Sequence, residues 1–128
     1  YIYSNGTVVF DKLTGERIAR CISSEDCRFI LETLMSGDAH ITVRQNGGCF
    51  VDGALCEKET LDRYNVCEAH RVVMRDYAVR VSDFTEFCLR ADNVEMYSAF
   101  FPSYEKKQAC KEILEKNKSL RIFRKTIL

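Results

Sequence analysis

Apolar positions along this chain repeatedly change their period, from alternation to helical spacing and back. Thr7-Val8-Val9-Phe10 and residues 16–22 are β-prone runs joined by Asp11-Lys12-Leu13-Thr14-Gly15, a loop whose closing glycine suits a hairpin. Cys27, Ile30, Leu31 and Leu34 then follow helical spacing. Ser23 or Ser24 stands ahead as a cap, Glu25 and Asp26 sit where the helix dipole favours acids, and Ser36-Gly37-Asp38 ends the run. This predicts a helix over 25–35. Residues 40–44 alternate around Ile41 and Val43, Gln45-Asn46-Gly47-Gly48 turns, and Cys49-Phe50-Val51 returns. Asn-Gly is among the strongest hairpin signals because both residues tolerate positive φ.

The second half reads in the same way. Leu61, Tyr64, Cys67, Val72 and Met74 partly share a face and predict one helix over 57–76. Tyr77, Val79 and Val81 alternate as a strand, and Ser82-Asp83 caps a short helix through Phe84, Phe87 and Cys88. Residues 94–101 alternate again, with Val94, Met96 and Ser98 on one side and Tyr97, Ala99 and Phe101 on the other. Pro102 stops that strand. Ser103 caps a helix over 104–116 with Ala109, Cys110, Ile113 and Leu114 as its stripe, and Leu120 and Ile122 begin a last strand. Hairpins interleaved with helices read as an α+β fold, a mostly antiparallel sheet with helices packed on one face. At this length a single domain, 1–128, is expected. Cys27-Arg28-Phe29-Ile30-Leu31-Glu32 and Cys110-Lys111-Glu112-Ile113-Leu114-Glu115 echo each other, a strand–helix–strand similarity between 20–44 and 99–125.

Seven cysteines change the picture more than any other residue type. They stand singly at 21, 27, 49, 56, 67, 88 and 110, with no CxxC pair. An odd number of separated thiols argues against a disulfide framework and for small buried apolar groups in a reduced, cytoplasmic protein. No stretch approaches the roughly 20 apolar residues that cross a bilayer, and Tyr1-Ile2-Tyr3-Ser4-Asn5-Gly6 lacks the basic-then-apolar order of a signal peptide. No membrane partner is expected.

Net charge is zero but uneven. Residues 103–128 hold eight Lys or Arg against three Glu, a net +5, which leaves −5 on the first 102. With Tyr104 and Phe123 nearby, that segment could track phosphates and stack a base, so nucleic acid is one partner class to test. Solvated helix lysines and a lysine-guarded sheet edge account for the same charges.

Candidate chemistry is sparse. Cys49 follows Asn46-Gly47-Gly48, whose backbone N–H groups could stabilise an oxyanion, and His40 and His70 are the histidines able to serve as its base. Cys67 and His70, separated by two residues, are the one close pair that could share a metal. Asp52, Glu57, Glu59 and Asp62 cluster without metal-ligand or acid–base spacing. No Gly-rich phosphate cradle or hydrolase motif occurs, and no cofactor is expected. Fourteen aromatics without Trp are more than one sheet face can bury. In the run from Tyr97 to Phe101 both strand faces are apolar, so that strand is either central or turned toward a partner. The reading that follows is a non-enzymatic interaction protein of an accessory, regulatory or inhibitor kind, a build common among viral and mobile-element polypeptides. It is expected to bind another protein or itself as a homo-oligomer. Tyr97, Phe100 and Phe101 would be the contact, with Tyr1 and Tyr3 adding aromatic surface and Lys106, Lys107 and Lys111 forming the rim.

Overall fold

Two serines set the long helices. The Ser23 hydroxyl accepts from the Asp26 N–H at 3.2 Å and opens α1 (Ser24–Ser36); the Ser103 hydroxyl accepts from the Lys106 N–H at 3.3 Å and opens α5 (Tyr104–Glu115). The computed structural model describes residues 2–4, 8–10, 17–19, 21–118 and 120–122, and at 2–4, 8–10, 17–19, 121 and 122 it describes backbone alone. The strands are β1 (Ile2–Ser4), β2 (Val8–Phe10), β3 (Arg17–Ala19), β4 (His40–Gln45), β5 (Gly48–Asp52), β6 (Ala78–Val81), β7 (Val94–Phe100) and β8 (Leu120–Ile122). Between β5 and β7 lie a 3₁₀ turn (Gly53–Leu55), α2 (Lys58–Arg63), α3 (Glu68–Asp76) and α4 (Phe84–Arg90).

Six strands form one sheet in the order β6-β5-β4-β7-β1-β8, while β2 and β3 pair separately, Val8 opposite Ala19. β4 and β1 flank β7, each antiparallel to it, and are therefore parallel to one another, with α1 in the connection. β7 and β8 flank β1 in the same relation, with α5 between them. These are two interleaved split β-α-β units. The segment from β5 through α4 is inserted between β4 and β7. The echo between 20–44 and 99–125 takes one helix from each unit. The sheet strand that precedes α1 is β1, however, and not β3, which belongs to the separate pair.

Three expectations need correction. The sheet is mixed and not mostly antiparallel, because β6 runs parallel to β5, Cys49 opposite Ala78 through Asp52 opposite Val81. Two helices separate these strands, long enough to carry the chain back to the starting end. Helices cover both faces and not one. α1, α4 and α5 bring Ile30, Leu31, Leu34, Phe84, Cys88 and Leu114 onto Ile41, Val43 and Tyr97. On the other face, Leu61 and Tyr64 of α2 with its cap, Val66, and Met74 of α3 pack on Val51. Finally, the helix expected over 57–76 is broken. Asn65 takes φ 57°, and its N–H bonds the Asp62 carbonyl at 3.1 Å, so the chain turns and restarts at Cys67.

The Asn46-Gly47 turn is as expected, with φ 48° and 79°. β7 carries a register shift opposite Arg44 and Gln45, so Val94 joins Tyr97 in the α1-side core although the residues stand three apart.

Gly37 shows how closely α1 and α5 meet. A Cβ there would stand 2.3 Å from the Cys110 Sγ, whose thiol donates to the Thr33 carbonyl at 3.4 Å. Its φ of −90° is open to any residue, so space alone requires glycine. Gly37→Ala is expected to cost about 1–3 kcal/mol. Cys110→Ala in the same chain should recover part of that loss. Urea unfolding of both single variants and the double variant reads the coupling, and strictly additive losses would show that the two sites do not touch.

Candidate functional site

Alternation along β4 and β7 aims one set of side chains at α2 and α3, and that set is polar. His40, Thr42 and Ser98 are buried there beside His70 of α3. His40 Nε2 lies 2.9 Å from the Leu55 carbonyl oxygen, which can only accept, so Nε2 carries the proton. Its Nδ1 is buried with no partner among the described residues, and Tyr64 meets the ring edge-on at 5.4 Å. Burial pushes the His40 pKa down, so the ring is held neutral. His70 Nε2 is 3.1 Å from the Thr42 hydroxyl, and the ring packs on Phe100 at 4.8 Å.

The candidate nucleophile is placed by other neighbours. Cys49 stands opposite Arg44 and Ala78, while His40 meets Leu55 and Tyr64, and His70 meets Thr42 and Phe100. Desolvation raises the Cys49 pKa, with Arg44 opposing, which keeps the thiol protonated. One of the proposed oxyanion donors is also engaged, since the Gly47 N–H is given to the Glu95 carboxylate at 3.2 Å. Cys67 caps α3 from an extended conformation, and among the described residues no three His, Cys, Asp or Glu side chains group to hold a metal. All seven cysteines are free thiols, with Cys27, Cys88 and Cys110 buried, and burial pushes the Cys88 pKa up to about 12.

The acids have structural work. Asp52 accepts from the Ala54 N–H at 2.9 Å, and Asp62 holds Lys58 and Arg71, each at 2.8 Å. Asp38, at φ 54°, binds the Tyr64 hydroxyl and Arg63, both at 2.7 Å. Mainly through that hydroxyl, its pKa is lowered. An open recess of about 350 Å³ lies between β6 and α4, lined by Gln45, Asp83, Glu86 and Phe87 among others. Its polar groups are committed: Asp83 caps α4, Glu86 pairs with Arg90, and Gln45 donates to the Asp92 carbonyl.

The expected aromatic contact is relocated. β7 is central, with β4 and β1 on its edges and helices on both faces. Tyr97 is 0% exposed. Phe100 lies under His70, and Phe101 packs against the α1-side core. Tyr97 therefore offers no open face, and Phe100 and Phe101 are half-buried. Lys106 pairs with Asp38 at 3.5 Å and Lys111 with Glu115 at 3.7 Å, while Lys107 is half-buried. The side chains of Tyr1, Tyr3 and Phe123 lie outside the described residues, as does most of the basic segment beyond Lys118.

Large apolar side chains are exposed on α1 and α5 at Met35, Tyr104 and Ile113, and again at and near the β6 end of the sheet. Tyr77 is 75% and Val79 54% exposed on or beside β6, and Leu89 of α4 is 66% exposed. Sequence reasoning identified the alternation Tyr77-Val79-Val81 but not its place at an edge. A four-residue strand isolated between two helices was the available signal. No helix among the described residues is long and apolar enough to cross a membrane. No protein-family model, curated protein or solved structure matches this chain.

Proposed function

We propose that this chain is a non-enzymatic interaction protein that works by binding protein, assembling with itself in a reducing, intracellular setting. The observation that carries this reading is the edge of β6, where Tyr77 and Val79 are exposed beside strand backbone that pairs with β5 alone among the described residues. Burying such side chains against another chain is favourable at roughly 25 cal/mol per Å² of apolar surface. The catalytic alternative has less support for a chemical reason: desolvation pushes the Cys49 thiol pKa up, away from the thiolate that a nucleophile needs.

Light scattering on freshly reduced full-length chain, at low and at about 1 M salt, tests the proposal. A discrete oligomer that survives high salt is expected, because an apolar contact is not screened. A monomer at every concentration would overturn self-assembly.

A further inference from the structure

We propose that β6 pairs edge to edge with β6 of a second copy, antiparallel about a two-fold axis through Val79, joining the two six-stranded sheets into one. The inference rests on the self-assembly reading above and names its surface.

Backbone direction comes first. Among the described residues β6 ends the strand order, with β5 as its one neighbour. The Val81 carbonyl oxygen lies 3.4 Å from where a Cβ on Gly53 would stand, so the peptide groups of Val81 face the β5 side. Along a strand these directions alternate. Val79 therefore also faces β5, and Ala78 and Arg80 turn their N–H and C=O groups outward. Antiparallel pairing with Val79 on the axis sets Ala78 opposite Arg80 of the second copy and Arg80 opposite its Ala78. Those are the hydrogen-bonded positions, and Val79 meets its equivalent at the closer, non-bonded position.

Side chains select the same register. Val79 and Val81 share one face of β6, so two copies would join them into a single apolar stripe that covers the exposed Val79. On the other face Arg80, which makes no ion pair among the described residues, stands opposite Ala78 of the second copy, so no like charges meet. Moving the axis to Arg80 would oppose two arginines. Moving it to Ala78 would bring Asp76, the last residue of α3, into the ladder and leave Val81 unpaired. A one-residue slip would match outward peptides with inward ones and bring opposite faces together. Edge strands usually carry a device against such pairing. On β6 the one charge is Arg80, and in this register it faces Ala78 and not a second arginine.

The test uses the reduced full-length chain in sedimentation over a concentration series. Val79→Lys places two ammonium groups face to face. Arg80→Pro removes an outward N–H while sparing the ladder to β5. Each should weaken dimerisation by about 10-fold or more, with far-UV circular dichroism unchanged. An oligomer that persists undiminished in both variants would overturn the β6 edge but leave self-assembly standing. A monomeric wild-type chain would overturn both. Register is read separately by single-cysteine cross-linking. Val79→Cys brings Cα atoms to about 4.5 Å, inside disulfide range, and peptide mapping should find a 79–79 link. Links at Ala78→Cys or Arg80→Cys with none at 79 would overturn the register.

Discussion

Tyr97→Ala is expected to lose about 3–5 kcal/mol of stability, enough to leave much of the chain unfolded if its total is the usual 5–15 kcal/mol. Tyr97 is fully enclosed, with Val43 opposite it on β4 and α1 above, in the largest apolar cluster. Truncation removes a ring from a place where both sheet edges and helices hold the walls apart, so little collapse can fill the space. Tyr97→Phe should behave oppositely. The hydroxyl is buried without a hydrogen-bond partner among the described residues, and its pKa is raised, first by desolvation and then by the neighbouring Cys27 thiol. Removing an unsatisfied polar atom should be neutral or stabilise by about 1 kcal/mol. Urea unfolding separates these outcomes. If Tyr97→Ala keeps wild-type stability and changes only native mass, then Tyr97 is a surface contact and its place in the core is refuted.

That contrast shows what was legible in the sequence. Local signals carried well: Ser23 and Ser103 cap helices, Asn46-Gly47 turns a hairpin, and Asp83 starts α4, because each depends on near neighbours. The layers did not carry. His40-Ile41-Thr42-Val43 alternates polar with apolar, the signature of a half-exposed strand. Yet all four residues are buried, since His40 and Thr42 find partners at Leu55 and His70 beneath α2 and α3. A second helical layer is hidden when the face it covers is polar. The parallel placement of β6 was equally invisible, because strand order depends on residues far apart in sequence. Thus the aromatic-rich strand was noticed, and a central place was one of the two it allowed, but nothing local chose between them. The exposed residues of the edge were noticed only as alternation.

Stability should fall as pH drops below about 6.5, through His40. The ring is enclosed, and the Leu55 carbonyl takes its one proton at Nε2, which leaves Nδ1 no acceptor for a second. Desolvation therefore lowers the folded pKa from 6.5, with the Leu55 bond and the Asp52 charge opposing. The unfolded chain binds a proton near 6.5 and the folded chain does not. Stability is thus fully present above that pH and is lost as pH falls toward the depressed folded value. The slope reaches about 1.4 kcal/mol per pH unit for one proton. Asp38 acts in a separate window: its lowered pKa contributes stability above 3.8 that is lost only below it, and its exposure keeps that part small. His40→Gln isolates the first window, because a Gln amide can still donate to Leu55 yet cannot be charged. The variant should start less stable at pH 7.5, from the altered contact with Tyr64, but stay level down to pH 5 while wild type declines. The slope, and not the starting value, is the readout. Equal slopes in both proteins would assign the proton to another group, with His70 the next to replace.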